Sequence, residues 1–451
     1  MRPRAMNRLV PERSTLSALR PYAWLMALVL ATIFLAWFGR DVAPPEHLCP
    51  DYICFWATSK IVLSGQSPYD VALQTRVQHE YGWDKQKNGA GAYDFLPYYY
   101  PPWFAMLTVA LVPLGYYGGK VTWFVLSADL VLLTGYLLRK TIPGVPPAIP
   151  LIAIPIFIFT VVTIVIGQTT PLILCLLAVA WRLLEARRDR TAGFALAWLT
   201  IKPQLTILVL PGVLLWAARR RRWRVVIGFA ATLALFALAS WLLIPGWLGQ
   251  MLDAPRQTPP PTENSPWIGT TWFLLLKSAG FRSWSFWALY ALVAVPLLAT
   301  VLKASLDRSK PLHDVLALGL LAACIVAPYG RNYDFPVLLI PLFVLLGTRL
   351  SEIAGAVLLV AVLLLPYAQY WIMARRGLVG QIGRPSPEFL FAWVPLLLAG
   401  VWLTTAFQRS RLPGRSSSAT VLSLVPGGLA QNEDQAPPLG RDPQPFSHAG
   451  V

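Results

Sequence analysis

Residues Thr191–Ile244 read TAGFALAWLTIKPQLTILVLPGVLLWAARRRRWRVVIGFAATLALFALASWLLI. Two apolar blocks, 191–217 and 224–244, lie on either side of the run Arg219–Arg222 and its neighbour Arg224. A helix of about 20 apolar residues spans a bilayer, because its backbone satisfies its own polar groups and its side chains need no water. The arginines then mark the side on which positive charge is retained. This stretch is built for a bilayer as its solvent.

The rest of the chain repeats the pattern. Of 451 residues, 56% are apolar and 13% charged, against about 25% charged in a typical soluble domain, which excludes an ordinary cytosolic enzyme. The net charge of +17 raises nucleic acid as a partner, but the arginines sit at the ends of apolar blocks. Arg2, Arg4, Arg8, Arg13 and Arg20 precede the first block, and Arg409, Arg411 and Arg415 follow the last. No aromatic-basic module or groove-reading motif accompanies them, so no nucleic-acid partner is expected.

Twelve blocks can be marked, at about 22–38, 103–117, 121–138, 148–166, 170–184, 191–217, 224–244, 284–302, 313–327, 335–347, 354–373 and 388–407. The expected fold is an all-α polytopic membrane protein of about 12 transmembrane helices. Residues 1–21 form a basic cytoplasmic N-terminus, 22–408 the membrane domain and 409–451 a disordered cytoplasmic tail. An even number of crossings returns the C-terminus to the side of the N-terminus, and both ends are Arg-rich. Residues 39–102 then make a large first exterior loop, and 245–283, with Pro259–Pro261, Glu263 and Asn264, a second one with an interfacial or re-entrant helix at 270–280. One conflict stands. This count puts Arg187, Arg188 and Arg190 outside; a hairpin at Lys202-Pro203 would move them inside, but its arms are short for full crossings and an extra span would be needed upstream.

Polar groups that are costly where they sit mark candidate chemistry. Asp51 precedes a stretch that can begin an amphipathic surface helix, so it is either that helix's N-cap or a catalytic carboxylate. Lys202, kinked into place by Pro203, is a phosphate ligand, an internal ion-pair member with Asp129 as the available partner, or an exposed lysine if the block is a hairpin. Tyr329-Gly330-Arg331-Asn332-Tyr333-Asp334 interrupts apolar sequence; it is a polar loop, or Arg331 clamps a phosphate or sugar. Gly167-Gln168 reads as a tight turn with a satisfied amide. Tyr98–Tyr100 before Pro101-Pro102-Trp103 reads first as an interfacial aromatic belt, with stacking on a sugar ring as the alternative.

Cys175 and Cys324 fall inside apolar blocks, whereas Cys49 and Cys54 could pair in an oxidising compartment. His47, Cys49, Asp51 and Cys54 lack the usual metal-ligand spacings, so no metal is expected. The chain has no phosphate-binding G-x-x-x-x-G-K-[ST], no D-x-D and no Ser-centred nucleophile motif, which leaves ATP-driven pumping, metal-bound nucleotide-sugar transfer and hydrolysis unsupported.

The order of motifs resembles glycosyltransferase family 87. It runs from Asp51 followed by aromatic-Ala through Gly65-x-x-Pro68-Tyr69-Asp70, Tyr100-Pro101-Pro102, Gly167-Gln168 and Ala192-Gly193 to Ile201-Lys202-Pro203, then Arg222-Trp223-Arg224, and the similarity covers about 50–410. The resemblance implies a GT-C type enzyme of the cell membrane. Such an enzyme takes mannose, or arabinofuranose in some members, from a polyprenyl-phosphate donor and delivers it, on the exterior or periplasmic face, to a lipid-linked or glycan acceptor. It implies Asp51 as catalytic base and Lys202 as the family's Lys-Pro lysine. Tyr100, Gln168, Lys202, Arg331, Tyr333 and Asp334 are the expected donor-phosphate and sugar contacts, and no cofactor is expected. The late motif departs from the family pattern, since many relatives carry Ser-Pro with one or two histidines where this chain has Ala327-Pro328 followed by Arg331, Asn332, Tyr333 and Asp334. Twelve spans with scattered charges also suit a transporter or flippase of lipid-linked sugars, or a ligase of finished lipid-linked glycans.

Overall fold

A computed structural model describes Met26 and residues 29–42, 48–83, 95–259, 267–379 and 387–411. Among the described residues every regular element is helical. The basic N-terminus, Glu263 and Asn264, His47 and the tail beyond Arg411 lie outside them. Among the described residues, five helices are long and apolar enough to cross a membrane: Pro102–Leu138, Trp223–Leu243, Ser283–Leu306, Glu352–Arg375 and Glu388–Gln408. A sixth candidate is the pair Ala148–Ile156 and Ile158–Ile166, bent by 53°. Pro155 removes a backbone donor just before the bend.

The inter-helix connections gather at two ends. At one, Arg222 pairs with Asp189, Arg220 donates to the Arg308 carbonyl, Trp216 donates to the Lys310 carbonyl, Arg349 pairs with Asp314, and Gly144 abuts Gly347. This is the arginine end. At the other, Asp51 meets Gln168, Lys202 meets Asp334, Thr270 bonds Gly330, and Arg331 meets Glu388.

Two of the expected blocks fold differently. Block 103–117 does not run between the ends. Pro102–Thr108 and the 3-10 turn Val109–Leu114 lie along the Tyr52–Leu63 helix, with Ser59 and Thr108 hydroxyls 2.7 Å apart and the Phe55 and Phe104 rings 4.9 Å apart. At Gly115, φ +71°, a left-handed residue that glycine adopts freely turns the chain. Only Gly115–Leu138, about 36 Å long at 1.5 Å per residue, then continues to the arginine end.

Block 191–217 is the hairpin. Asp189–Trp198 rises to a break at Leu199–Lys202, and Pro203–Thr206 with Val209–Arg219 descends. Lys202 has ψ 75°, as the residue before a proline is driven out of helical geometry. Arg187, Arg188 and Arg190 move to the end that holds Arg219–Arg222, so the charge conflict disappears.

The Tyr52–Leu63 helix forms as expected but is not an amphipathic surface helix. Tyr52 to Ser59, Ile61 and Val62 are all buried, because Val71–Glu80, the Pro102–Leu114 segment and Gly115–Leu138 cover it on several sides. The second loop carries helices at Trp247–Gln257 and Trp272–Ser278, the latter capped by Thr271 accepting from the Leu274 N–H. Cys49 and Cys54 are buried free thiols, bonded to the Ile164 and Pro97 carbonyls. Burial pushes the Cys49 thiol up to about 12, which leaves it little thiolate character.

Candidate active site

The helix Ile158–Ile166 ends at Gly167, φ +86°. Its last carbonyls would lack partners; instead Val165 accepts from the Cys49 N–H at 2.8 Å and Ile166 from the Asp51 N–H at 3.0 Å. A Cβ on residue 167 would stand 2.8 Å from the Cys49 Cβ, so glycine is required both for the backbone sign and for this approach. The Trp123 indole donates to the Gly167 carbonyl at 2.8 Å. The turn thus clamps Asp51 and Gln168 together.

Asp51 occupies the N-cap position of the Tyr52–Leu63 helix, yet its side chain makes no capping bond. Its carboxylate instead accepts from the Gln168 amide, and burial raises its pKa above the ordinary carboxylate value, against the Gln168 bond and the charges of Arg331 and Lys202. The other end of Gln168 accepts from Lys202 Nζ and the Tyr100 hydroxyl, each at 3.4 Å. The amide that sequence read as a satisfied turn residue therefore links carboxylate, lysine and phenol.

Lys202 is 1% exposed and Asp334 2%. Nζ lies 2.5 Å from Asp334 Oδ1 and donates to Thr170 Oγ1 at 3.0 Å, with the Tyr333 ring centre 5.0 Å away. This is the ion-pair reading with a different partner, since Asp129 accepts from the Thr32 hydroxyl at 3.0 Å. Asp334 also accepts from the Arg331 backbone N–H at 3.2 Å, starting the 3-10 turn Asn332–Leu338.

The Arg331 guanidinium is held by Glu388: Nε lies 3.1 Å from both carboxylate oxygens, and Nη2 donates to Oε1. It also stands over the Tyr333 ring, 4.9 Å from its centre. Tyr333 and Tyr329 share a hydroxyl contact of 3.1 Å, and Asn332 donates to the Tyr370 hydroxyl at 2.7 Å.

Asp51, Gln168, Lys202, Tyr100, Arg331 and Tyr333 all line one cavity of about 280 Å3, with Phe55, Trp83, Tyr99 and Tyr329 supplying aromatic walls. Its volume is near the lower end of small-ligand sites, about 300–1,000 Å3. Asp334 sits behind it, under Lys202. Tyr100 is therefore part of the site rather than of an interfacial belt, and burial raises its phenol pKa well above the usual value. Sequence reading missed Glu388, Thr170 and Tyr370. Glu388 carried a signal, an acid beside Pro387 at the start of the last apolar block, whereas Thr170 and Tyr370 carried none. No cluster of three or more His, Cys, Asp or Glu fit for a metal occurs among the described residues.

A half-buried acid and arginine, with a buried amide and lysine, converge on an aromatic-walled cavity in an all-helical apolar chain, an arrangement suited to a polar substrate in a membrane protein. The model of glycosyltransferase family 87 matches residues 98–328, just over half of the chain, and this protein belongs to that family. The match includes Tyr100, Gln168 and Lys202; Asp51 and Arg331–Asp334 lie outside it. A comparison with curated proteins returns no match.

Proposed function

We propose that this glycosyltransferase moves a sugar, mannose foremost, from a polyprenyl-phosphate donor to a hydroxyl of a lipid-linked or glycan acceptor, with inversion, and that the cavity opens to the exterior face of the cell membrane. The observation that carries this reading is the Asp51 carboxylate, which leaves its capping role and turns into the cavity against Gln168.

The donor brings its own leaving group, so the protein must supply a base, cationic or hydrogen-bonding support for the departing phosphate, and a dry, shaped pocket. Asp51 takes the proton from the acceptor hydroxyl as that oxygen bonds to the anomeric carbon. The bond from that carbon to the phosphate oxygen breaks on the opposite face. Gln168 orients the carboxylate and keeps it hydrogen-bonded while ionised. Arg331, partly exposed and fixed by Glu388, is the better phosphate clamp, since a guanidinium binds phosphate in a fork. Lys202 is already neutralised by Asp334 and acts as the electrostatic floor of the site. Aromatic walls at Tyr99, Tyr100 and Trp83 suit the apolar faces of a sugar ring.

The test is transfer of label from radiolabelled polyprenyl-phosphate-mannose by the purified protein in lipid, with wild type and Asp51→Asn side by side. Label in a new product with wild type alone supports the assignment. Turnover retained by Asp51→Asn removes the base. Label that crosses the bilayer without changing its covalent state turns the reading toward transport.

A further inference from the structure

At the arginine end, away from the cavity, a second pocket of about 320 Å3 is lined by Arg187, Arg219, Arg220, Arg221 and Arg308. Three helix ends enclose it: the turn after Thr170–Glu185, the end of Val209–Arg219, and the turn after Ser283–Leu306. No carboxylate lines it. Of the nearby acids, Asp189 is engaged with Arg222 at 2.5 Å and Glu185 with Arg182 at 3.5 Å, while Asp307 accepts from the Ser309 N–H and hydroxyl at 2.8 and 2.7 Å and also attracts Arg220 from outside the pocket lining. None of the five arginines forms an ion pair among the described residues.

The pocket is built rather than merely charged. Arg220 donates to the Arg308 and Lys310 carbonyls and lies over the Trp216 ring, 4.4 Å from its centre, so its guanidinium is fixed. Arg187 and Arg221 have φ +57° and +58°. Each follows a helix whose end closes through the next residue, Arg188 N–H to the Leu183 carbonyl and Arg222 N–H to the Ala217 carbonyl, both 2.9 Å. Glycine suits that position; arginine stands there twice. A topogenic role accounts for the sign of the charge, but it does not require arginines from three helix ends to converge on one pocket.

We propose that this pocket binds a phosphate-bearing anion, the headgroup of an anionic lipid, at the end of the molecule away from the sugar-transfer cavity. Guanidinium groups match phosphate oxygens in charge and fork geometry, and basic pockets between the ends of spanning helices suit lipids with two phosphates. The site is independent of the proposed reaction, since it shares no residue with the cavity.

The test uses the full chain in nanodiscs of phosphatidylcholine with or without cardiolipin, and in neutral detergent with added inorganic pyrophosphate. The unfolding midpoint and the displacement of a fluorescent cardiolipin are read. The variant is Arg187→Gly with Arg221→Gly, which removes two charges while relieving the left-handed backbone, so it folds at least as well as wild type. Cardiolipin is expected to raise the wild-type midpoint, and the variant to bind it roughly tenfold more weakly, the factor that about 1.4 kcal/mol represents. A rise with cardiolipin but not pyrophosphate assigns the lipid; a variant-sensitive rise with both shows that the phosphate group alone suffices. No rise with either, or a rise the variant retains in full, overturns the proposal.

Discussion

Lys202 and Asp334 provide the sharpest test, through Lys202→Met, Asp334→Asn and the two together. At 2.5 Å and an effective dielectric of about 20, the pair attracts by roughly 6–7 kcal/mol before desolvation is counted. Removing water from two nearly inaccessible charges offsets several kcal/mol of that. Either single variant leaves a buried charge without its partner and is expected to cost about 3–5 kcal/mol. The double variant leaves none and should recover about 1–3 kcal/mol of the summed loss. Unfolding in mixed micelles by a graded denaturing detergent measures all four proteins, and transfer activity is followed on the same samples. Lys202→Met should lose activity with stability, because the Gln168 amide loses a donor and Asp51 loses its orientation. Single variants that each cost under about 1 kcal/mol, or a double variant whose loss is simply the sum, would refute a structural ion pair. Lys202 would then be a ligand of the donor phosphate in its own right.

Other perturbations separate the remaining roles. Activity should fall as pH drops through the raised Asp51 pKa, with the acid limb of kcat/KM above the usual aspartate range; a limb at or below that range would contradict the burial. The same shift means that ionised Asp51 disfavours the folded state. The stabilising contribution of this group is complete below its unfolded pKa and is lost as pH rises through the folded one. Asp51→Asn should therefore match or exceed the wild-type Tm at pH 7, with the difference shrinking on acidification. Gly167→Ala puts an L-residue at φ +86° and a Cβ against Cys49, for about 1–2 kcal/mol from the backbone alone plus the clash. Adding Cys49→Gly should restore part of both Tm and activity, and no restoration would separate the two positions. Glu388→Gln removes the charge holding Arg331; at about 1.5–3 kcal/mol for a charge-assisted bond, kcat should fall roughly tenfold or more with KM less affected.

Helix content and the positions of most apolar blocks could be read from sequence, because hydrophobic length is a composition property. Orientation could not. Block 103–117 is as apolar as a span, but its residues Phe104 and Thr108 have partners on the Tyr52–Leu63 helix, and nothing local announces them. Lys202-Pro203 did announce a break, and the three misplaced arginines at 187, 188 and 190 independently required it; the missing piece was the compensating loss upstream. At the site, Asp51, Lys202 and Arg331 were legible as polar groups in costly surroundings, whereas Gln168 read as a satisfied turn amide and was marked only by the family resemblance. Their partnerships were not, since Asp334 reaches Lys202 and Glu388 reaches Arg331 only through packing of distant helices. Asp129 was the nearer candidate in sequence, and it accepts from Thr32 instead.

The hairpin at Lys202 also dictates an order of events during synthesis. Neither arm is long enough to span alone, and the ammonium at its tip finds its counter-charge about 130 residues later in the chain. At roughly 5–20 residues per second, the ribosome takes on the order of ten seconds to deliver Asp334 after Lys202 has emerged. For that interval the tip must remain in water or in the insertion machinery. The hairpin can seat fully only when Leu312–Val326 and Asn332–Leu338 arrive. The candidate site is therefore closed late, by the C-terminal third of the chain, around a lysine that has been waiting for it.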